Sequence, residues 1–229
     1  MTLSRRDMLL TLSVAPAALA ADGGTAAPPA ARALKPLPFD PAKLPGLSER
    51  LLVSHHENNY GGALKNLSKV EAELARVTKD TPGFLVAGLK ERELTFRNSV
   101  ALHEAYFANL GGDGKASGAL EKALARTFGS FARFEELFRA CALALSGGSG
   151  WTVLSFHPER QELTIDWSGH HTQSLSGAAP LLVLDLYEHA YALDYGAAAA
   201  RYVDAFMANV RWDDAERRYA RWSAKSARE

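Results

Sequence analysis

Asp185 and His189 stand four residues apart at the end of an apolar run, Pro180-Leu-Leu-Val-Leu184, of the kind that makes a buried strand. A carboxylate at the end of such a strand is costly unless it is paired or binds a metal. A spacing of four turns the imidazole back toward the carboxylate, as one helical turn does. Two further histidines lie on apolar segments far away in the chain: His103, with Phe96, Val100 and Phe107, and His55 or its neighbour His56. Taken singly, each is a packed core histidine, and Asp185 is a helix N-cap. Taken together, three neutral imidazoles and one carboxylate are a set suited to manganese, iron or zinc.

The elements that must position them follow from hydrophobic spacing. From Ser48, a helix cap, to about Lys79 the apolar residues Leu64, Leu67, Val70, Leu74 and Val77 recur three or four apart, with His55 and His56 near the start. Gly61-Gly62 weakens that helix. Thr81-Pro-Gly83 ends it, and a second helix over 84–110 carries His103. Two long helices joined by a Pro-Gly turn make an antiparallel hairpin. Helices over 117–127 and 130–145 come next, then strands over 151–156 and 161–167 joined by a turn at 157–160. A polar loop holding His170 and His171 leads to the third strand, and helices over 197–210 and 213–224 close the chain. The expected fold is α+β: an antiparallel helical hairpin (47–112), then an α/β lobe with a three-stranded antiparallel sheet (113–229). One ligand from each hairpin helix and two from the α/β lobe would put a metal at the lobe interface, a usual place for a site.

Composition removes other chemistries. Lys plus Arg and Asp plus Glu are 26 each, so nothing suggests nucleic acid or an acidic membrane surface as partner. The single cysteine, Cys141, excludes an intrachain disulfide and any cysteine-based zinc or iron–sulfur site, and its apolar surroundings predict a buried structural thiol. Gly111-Gly-Asp-Gly114 lacks the spacing of a phosphate-binding loop, and Gly147-Gly-Ser-Gly150 is no nucleophile elbow. Residues 1–20 read as a signal peptide: Arg5-Arg6, an apolar run from Met8 to Leu19, and a small-x-small end at Ala18-Leu-Ala20. The paired arginines suit a twin-arginine signal, which carries folded proteins, and so predict a periplasmic protein. Residues 21–46 read as a low-complexity, then Pro-rich extended segment.

Asp185-Leu-Tyr-Glu-His189-Ala-Tyr191 resembles the Asp-x-Trp-Glu-His-Ala-Tyr signature of the iron/manganese superoxide dismutase family. Leu37-Pro-Phe39, Val53-Ser-His-His56, Leu102-His103-Glu-Ala-Tyr-Phe107, Gly148-Ser-Gly-Trp151 and Asn209-Val-Arg-Trp-Asp213 are similar to other stretches of it, along nearly the whole mature length. The resemblance implies one iron or manganese ion per subunit, held by His55, His103, Asp185 and His189, with His56 a non-ligand neighbour. It implies dismutation of superoxide, and a homodimer in which Glu188 pairs across the interface with His189 of a second copy.

The surroundings of the ligands depart from that family. Asn59 stands where a histidine is usual, Ala63 where a gateway tyrosine is, and Ala192, Tyr187 and Phe107 replace a tyrosine and two tryptophans. Ser99 lies near the place of the glutamine that bonds the metal-bound solvent. Some members use a loop histidine for that bond, which points to His170, with His171 the alternative. The replacements predict a wider, wetter funnel. They also leave a second function open, a metal-binding relative with weak or no dismutase activity. A zinc hydrolase is disfavoured because His103-Glu-Ala-Tyr-Phe107 lacks the second histidine of His-Glu-x-x-His.

Overall fold

The structure, a computed structural model, describes residues 32–173 and 176–224, so the signal sequence expected at 1–20 lies outside the described residues. Ser48 caps α1 (Glu49–Ser54) through its hydroxyl, which accepts from the Leu51 amide at 3.1 Å. The chain then widens into a π-helical turn, His55–Tyr60, before α2 (Gly61–Leu74). The single helix expected over 48–79 is therefore two α segments around a π turn, a form that recurs at functional sites. It also ends five residues early. Thr78 and Thr81 explain this, because the Thr81 hydroxyl takes the Thr78 amide at 2.8 Å and turns the chain toward Pro82. The second hairpin helix, α3 (Gly83–Ala108), packs along α2.

After α4 (Gly118–Phe128) and α5 (Phe131–Leu143) come β1 (Trp151–His157), β2 (Glu162–Ser168) and β3 (Ala179–Asp185). The sheet is antiparallel, in the order β2-β1-β3. All seven residues of β1 are buried, as in a central strand covered on both faces. The register pairs Trp151 with Asp185, which sets the carboxylate beside the indole at the end of the sheet. A short 3-10 turn, Glu188–Ala190, precedes α6 (Ala192–Tyr195), α7 (Ala199–Ala208) and α8 (Trp212–Ser223). His189 is thus reached through a 3-10 turn, with Asp185 Oδ1 accepting the Tyr187 amide at 2.8 Å.

Two devices tie the hairpin to the sheet. The buried Asn109, just past α3, accepts from the Val183 amide at 2.9 Å and donates to the Leu181 carbonyl at 3.2 Å. Each such bond is worth about 1 kcal/mol net, and losing the side chain would leave buried strand groups unpaired. The run Gly111–Gly114 presses against 207–211, where a Cβ on Gly112 would lie 2.3 Å from the Val210 carbonyl oxygen. These glycines serve a close backbone crossing, not a ligand. One apolar core runs through both parts, from Leu44 to Ala215, with Phe134, Phe138, Trp151, Leu181–Leu184, Tyr202 and Phe206 fully buried.

Candidate metal centre

The π turn, α3 and the end of β3 bring four side chains to one point. His55, His103, Asp185 and His189 each offer a ligand atom, and these atoms all lie within 4.8 Å of one another. Asp185 Oδ2 is 3.1 Å from His55 Nε2, 3.3 Å from His189 Nε2 and 3.6 Å from His103 Nε2. His55 and Asp185 are wholly buried, His103 nearly so, and His189 is partly open. Phe107 and Tyr106 lie 5.0 Å from the His55 ring, and Trp151 stands edge-on to His103 at 5.1 Å.

Hydrogen bonds aim the donors. His103 Nδ1 lies 2.7 Å from the Ser99 carbonyl, which only accepts, so Nδ1 carries the proton and Nε2 presents its lone pair. Asp185 Oδ1 is held by the Tyr187 amide, which leaves Oδ2 for the cluster. His55 Nδ1, His55 Nε2 and His103 Nε2 are buried with no hydrogen-bond partner. The 3.1 Å approach of His55 to Asp185 is close, but it lacks hydrogen-bond geometry. Orphaned buried nitrogens facing a buried carboxylate are costly as a protein core and fit a cation.

Electrostatics agree. Burial pushes His55 below its ordinary pKa, and burial with the neighbouring His55 takes His103 down to about 3. Both are neutral near pH 7, the form that binds metals. Burial raises Asp185, yet the charge of His189 and its hydrogen bond at 3.3 Å, with the His55 ring beside them, outweigh it and hold the carboxyl low. His55 lends that pull only when protonated, and its own burial keeps it neutral. A metal ion held among these four side chains would supply Asp185 with a full countercharge.

The two uncertain histidine pairs separate. His56 turns away, its Nε2 bonded to the Lys35 carbonyl at 2.7 Å, so His55 is the member in the cluster. Of the loop histidines, His171 faces the cluster and His170 does not. His170 is exposed, its Nδ1 tied to Thr172 within the loop, while the single hydroxyl proton of Ser168 is shared between the His170 carbonyl at 2.7 Å and the Gln173 carbonyl at 2.5 Å. His171 lines a cavity of about 210 Å³ together with His103, His189, Asn59, Ala63, Phe96 and Ser99. The side-chain position expected for His170 is occupied by its neighbour.

Three contacts around His171 were not readable from spacing. Trp151 Nε1 donates to His171 Nδ1 at 2.9 Å, so the ring proton sits on Nε2. Tyr187 stacks on His171 at 4.7 Å and on His189 at 5.4 Å. Asn98 donates to the His171 carbonyl at 2.6 Å, fixing the loop to α3. Burial lowers the His171 pKa to about 4, so this histidine is a neutral donor. Cys141 is half-buried, its sulfur accepting from the Thr152 hydroxyl at 3.7 Å.

The chain is similar in sequence to known proteins. The family profile described as iron/manganese superoxide dismutases, C-terminal domain, matches residues 116–218. A superoxide dismutase [Fe] of Cupriavidus metallidurans is 50% identical over 188 residues, covering 82% of this chain and 95% of that protein. A superoxide dismutase [Mn] of Haloarcula marismortui is 32% identical, covering 81% of this chain and 92% of its own length. A superoxide dismutase [Fe] of Saccharolobus solfataricus is 33% identical, covering 84% and 95%. With a relative half identical along most of both chains, and a carboxylate among three imidazoles where the family signature falls, this chain belongs to the iron/manganese superoxide dismutase family.

Proposed function

We propose that the protein is a superoxide dismutase working with one iron or manganese ion, held by His55, His103, Asp185 and His189. One observation carries the reading: buried imidazole nitrogens without hydrogen-bond partners converge with a buried carboxylate on one point. The bound metal supplies a one-electron redox couple, so that two superoxide ions and two protons become dioxygen and hydrogen peroxide. The chain does the rest. Neutral imidazoles and one carboxylate set the charge of the site, and second-layer bonds such as Ser99 to His103 orient the ligands. His171, its Nε2–H fixed by Trp151, offers a donor at the floor of the cavity that opens on His103 and His189. Protons arrive from solvent through that opening, where Ala63 and Asn59 leave room for water.

The finer reading adds export and pairing. Arg5-Arg6 and the apolar run after them support a twin-arginine signal and a periplasmic protein. Glu188 is exposed beside the partly open His189, which suits a homodimer in which each Glu188 meets His189 of a second copy. The test of function is metal analysis and superoxide removal by the mature protein after reconstitution with iron or manganese. Stoichiometric metal without superoxide removal would favour the inactive metal-binding relative instead. Replacing Arg5 and Arg6 by lysine tests export, since normal periplasmic yield of that variant would refute the twin-arginine route. Sedimentation of a Glu188→Ala variant tests the pairing, and an unchanged dimer would count against it.

A further inference from the structure

Hydrogen bonds aim two of the three most buried ligands. The Ser99 carbonyl holds His103 and the Tyr187 amide holds Asp185, whereas His55 Nδ1 has no hydrogen-bond partner among the described residues. The direction of the His55 ring therefore comes from its backbone and its packing. That backbone is the π turn His55–Tyr60, in which the Gly61 amide reaches back to the His56 carbonyl. Such a turn is rare inside a helix. Here the extended segment before Phe39 grips it from outside. His56 Nε2 lies 2.7 Å from the Lys35 carbonyl, which only accepts, so the ring donates. The Lys35 amide donates to the Tyr60 hydroxyl at 3.4 Å, and that hydroxyl donates to Glu104 Oε1 at 2.9 Å. The Lys35 ammonium bonds the other Glu104 oxygen. Tyr60, 1% exposed, ends the π turn, and Glu104 follows His103 on α3.

We propose that Tyr60 and Glu104 are positioning residues: with the Lys35 backbone they lock the π turn to α3 and so fix His55 relative to His103 in the metal centre. The path of bonds runs from the neighbour of one ligand to the neighbour of the other. Lys35, His56, Tyr60 and Glu104 line a separate cavity and not the one over His103 and His189, so they act through the ligands and not on a substrate. Within the path, the Lys35–Glu104 ion pair is largely exposed, and such pairs contribute little. The weight falls on the buried Tyr60 hydroxyl, whose loss strips Glu104 and the Lys35 amide of a partner together. The proposal rests on the reading of the site as a metal centre.

The test compares iron-loaded parent with Tyr60→Phe, Glu104→Ala, Glu104→Gln and Lys35→Ala. Iron content, superoxide removal, the rate of iron release to a chelator and the paramagnetic resonance of iron(III) are measured on each. Tyr60→Phe and Glu104→Ala should each release iron about tenfold faster and change the resonance, at the small end of what residues behind the ligands contribute. Glu104→Gln keeps an acceptor oxygen for the Tyr60 hydroxyl, and should restore the parental resonance and a release rate within about twofold. Lys35→Ala keeps both backbone bonds and should stay within about twofold as well. A lower melting temperature with resonance and release unchanged would mark the Tyr60–Glu104 bond as ordinary structure and overturn the proposal. So would a Glu104→Gln variant no better than Glu104→Ala. A parent that takes up no iron overturns the metal-centre reading and this proposal with it. An iron-loaded parent that leaves superoxide untouched overturns the dismutase reading alone, because release and resonance still report the positioning.

Discussion

Of the four carboxylates buried among the described residues, Glu71, Glu93, Asp185 and Asp214, two are buried in opposite ways, Glu71 and Asp185. Glu71, on α2, is 5% exposed and carries its own countercharge. Arg32 grips both of its oxygens, and Arg97 reaches Oε1 at 2.9 Å while also holding Glu93 at 2.8 Å. Asp185 is 0% exposed and among the described residues has no arginine or lysine partner, only the rings of His55, His103 and His189 and the Tyr187 amide. A carboxylate sealed with cations is finished structure, and one sealed among imidazole rings has the donor set of a metal site.

The sharpest way to break that contrast is to neutralise each carboxylate in turn. Asp185→Asn should abolish stoichiometric iron or manganese binding. The metal-dependent gain in stability, about 4 kcal/mol at a thousandfold excess over Kd, should vanish with it. Without metal the same variant should lose little, because Asn keeps an acceptor oxygen for the Tyr187 amide and gives up only the His189 contact. Thermal unfolding with and without metal reads both effects. An apo variant far less stable than apo parent would show that Asp185 is structural.

Glu71→Gln should do the reverse. It should cost about 2 kcal/mol with metal or without, since the arginines it abandons reach solvent and recover part of their hydration. Metal content should stay stoichiometric. Loss of metal in this variant would mean that the hairpin clamp, and not only the ligand set, decides occupancy.

Between the two carboxylates in effect lies the loop. His171→Ala should keep the metal yet shift its potential and lower turnover by roughly tenfold, at the small end of what second-layer partners contribute. His170→Ala, at an exposed ring bonded only within its loop, should change neither. Equal effects of the two would undo the assignment of His171 to the cavity.

How far the sequence carried these distinctions depended on periodicity. The hairpin, the sheet and the Asp185-His189 pair were legible because apolar spacing and turn residues declare themselves within one segment. What failed was whatever depended on contacts between segments. Whether His170 or His171 faces inward is settled by Ser168 and Asn98 gripping the loop backbone, and neither bond has a local signature. The π turn at His55–Tyr60 has no periodic mark in so short a stretch, and a straight helix was the natural expectation. The Trp151 bond that fixes the His171 tautomer joins residues twenty apart, across the first hairpin of the sheet.

The smallest effect separates the two regions by acid. His103 is lowered by burial to about 3 in the folded protein, and His55 is lowered too, whereas an unfolded chain binds these protons near the usual histidine value of about 6.5. Below that value the unfolded state therefore holds more protons than the folded one, and apo stability falls as pH falls. Between pH 7 and 5.5 the loss should be about 1 kcal/mol for each fully buried histidine. The Glu71 cluster acts later. Lys90 and Arg97 hold Glu93 below its ordinary range, so its contribution is intact above about pH 4.5 and is lost only on further acidification. Urea titrations of the metal-free protein at pH 7, 5.5 and 4 should thus show a first decline that a His103→Gln variant reduces, the remainder coming from His55 and His171. The decline below pH 4.5 should persist in that variant, because its origin is the carboxylate cluster on the hairpin. A first decline unchanged in His103→Gln would place the responsible histidine elsewhere and weaken the contrast between a cation-free and a cation-sealed burial.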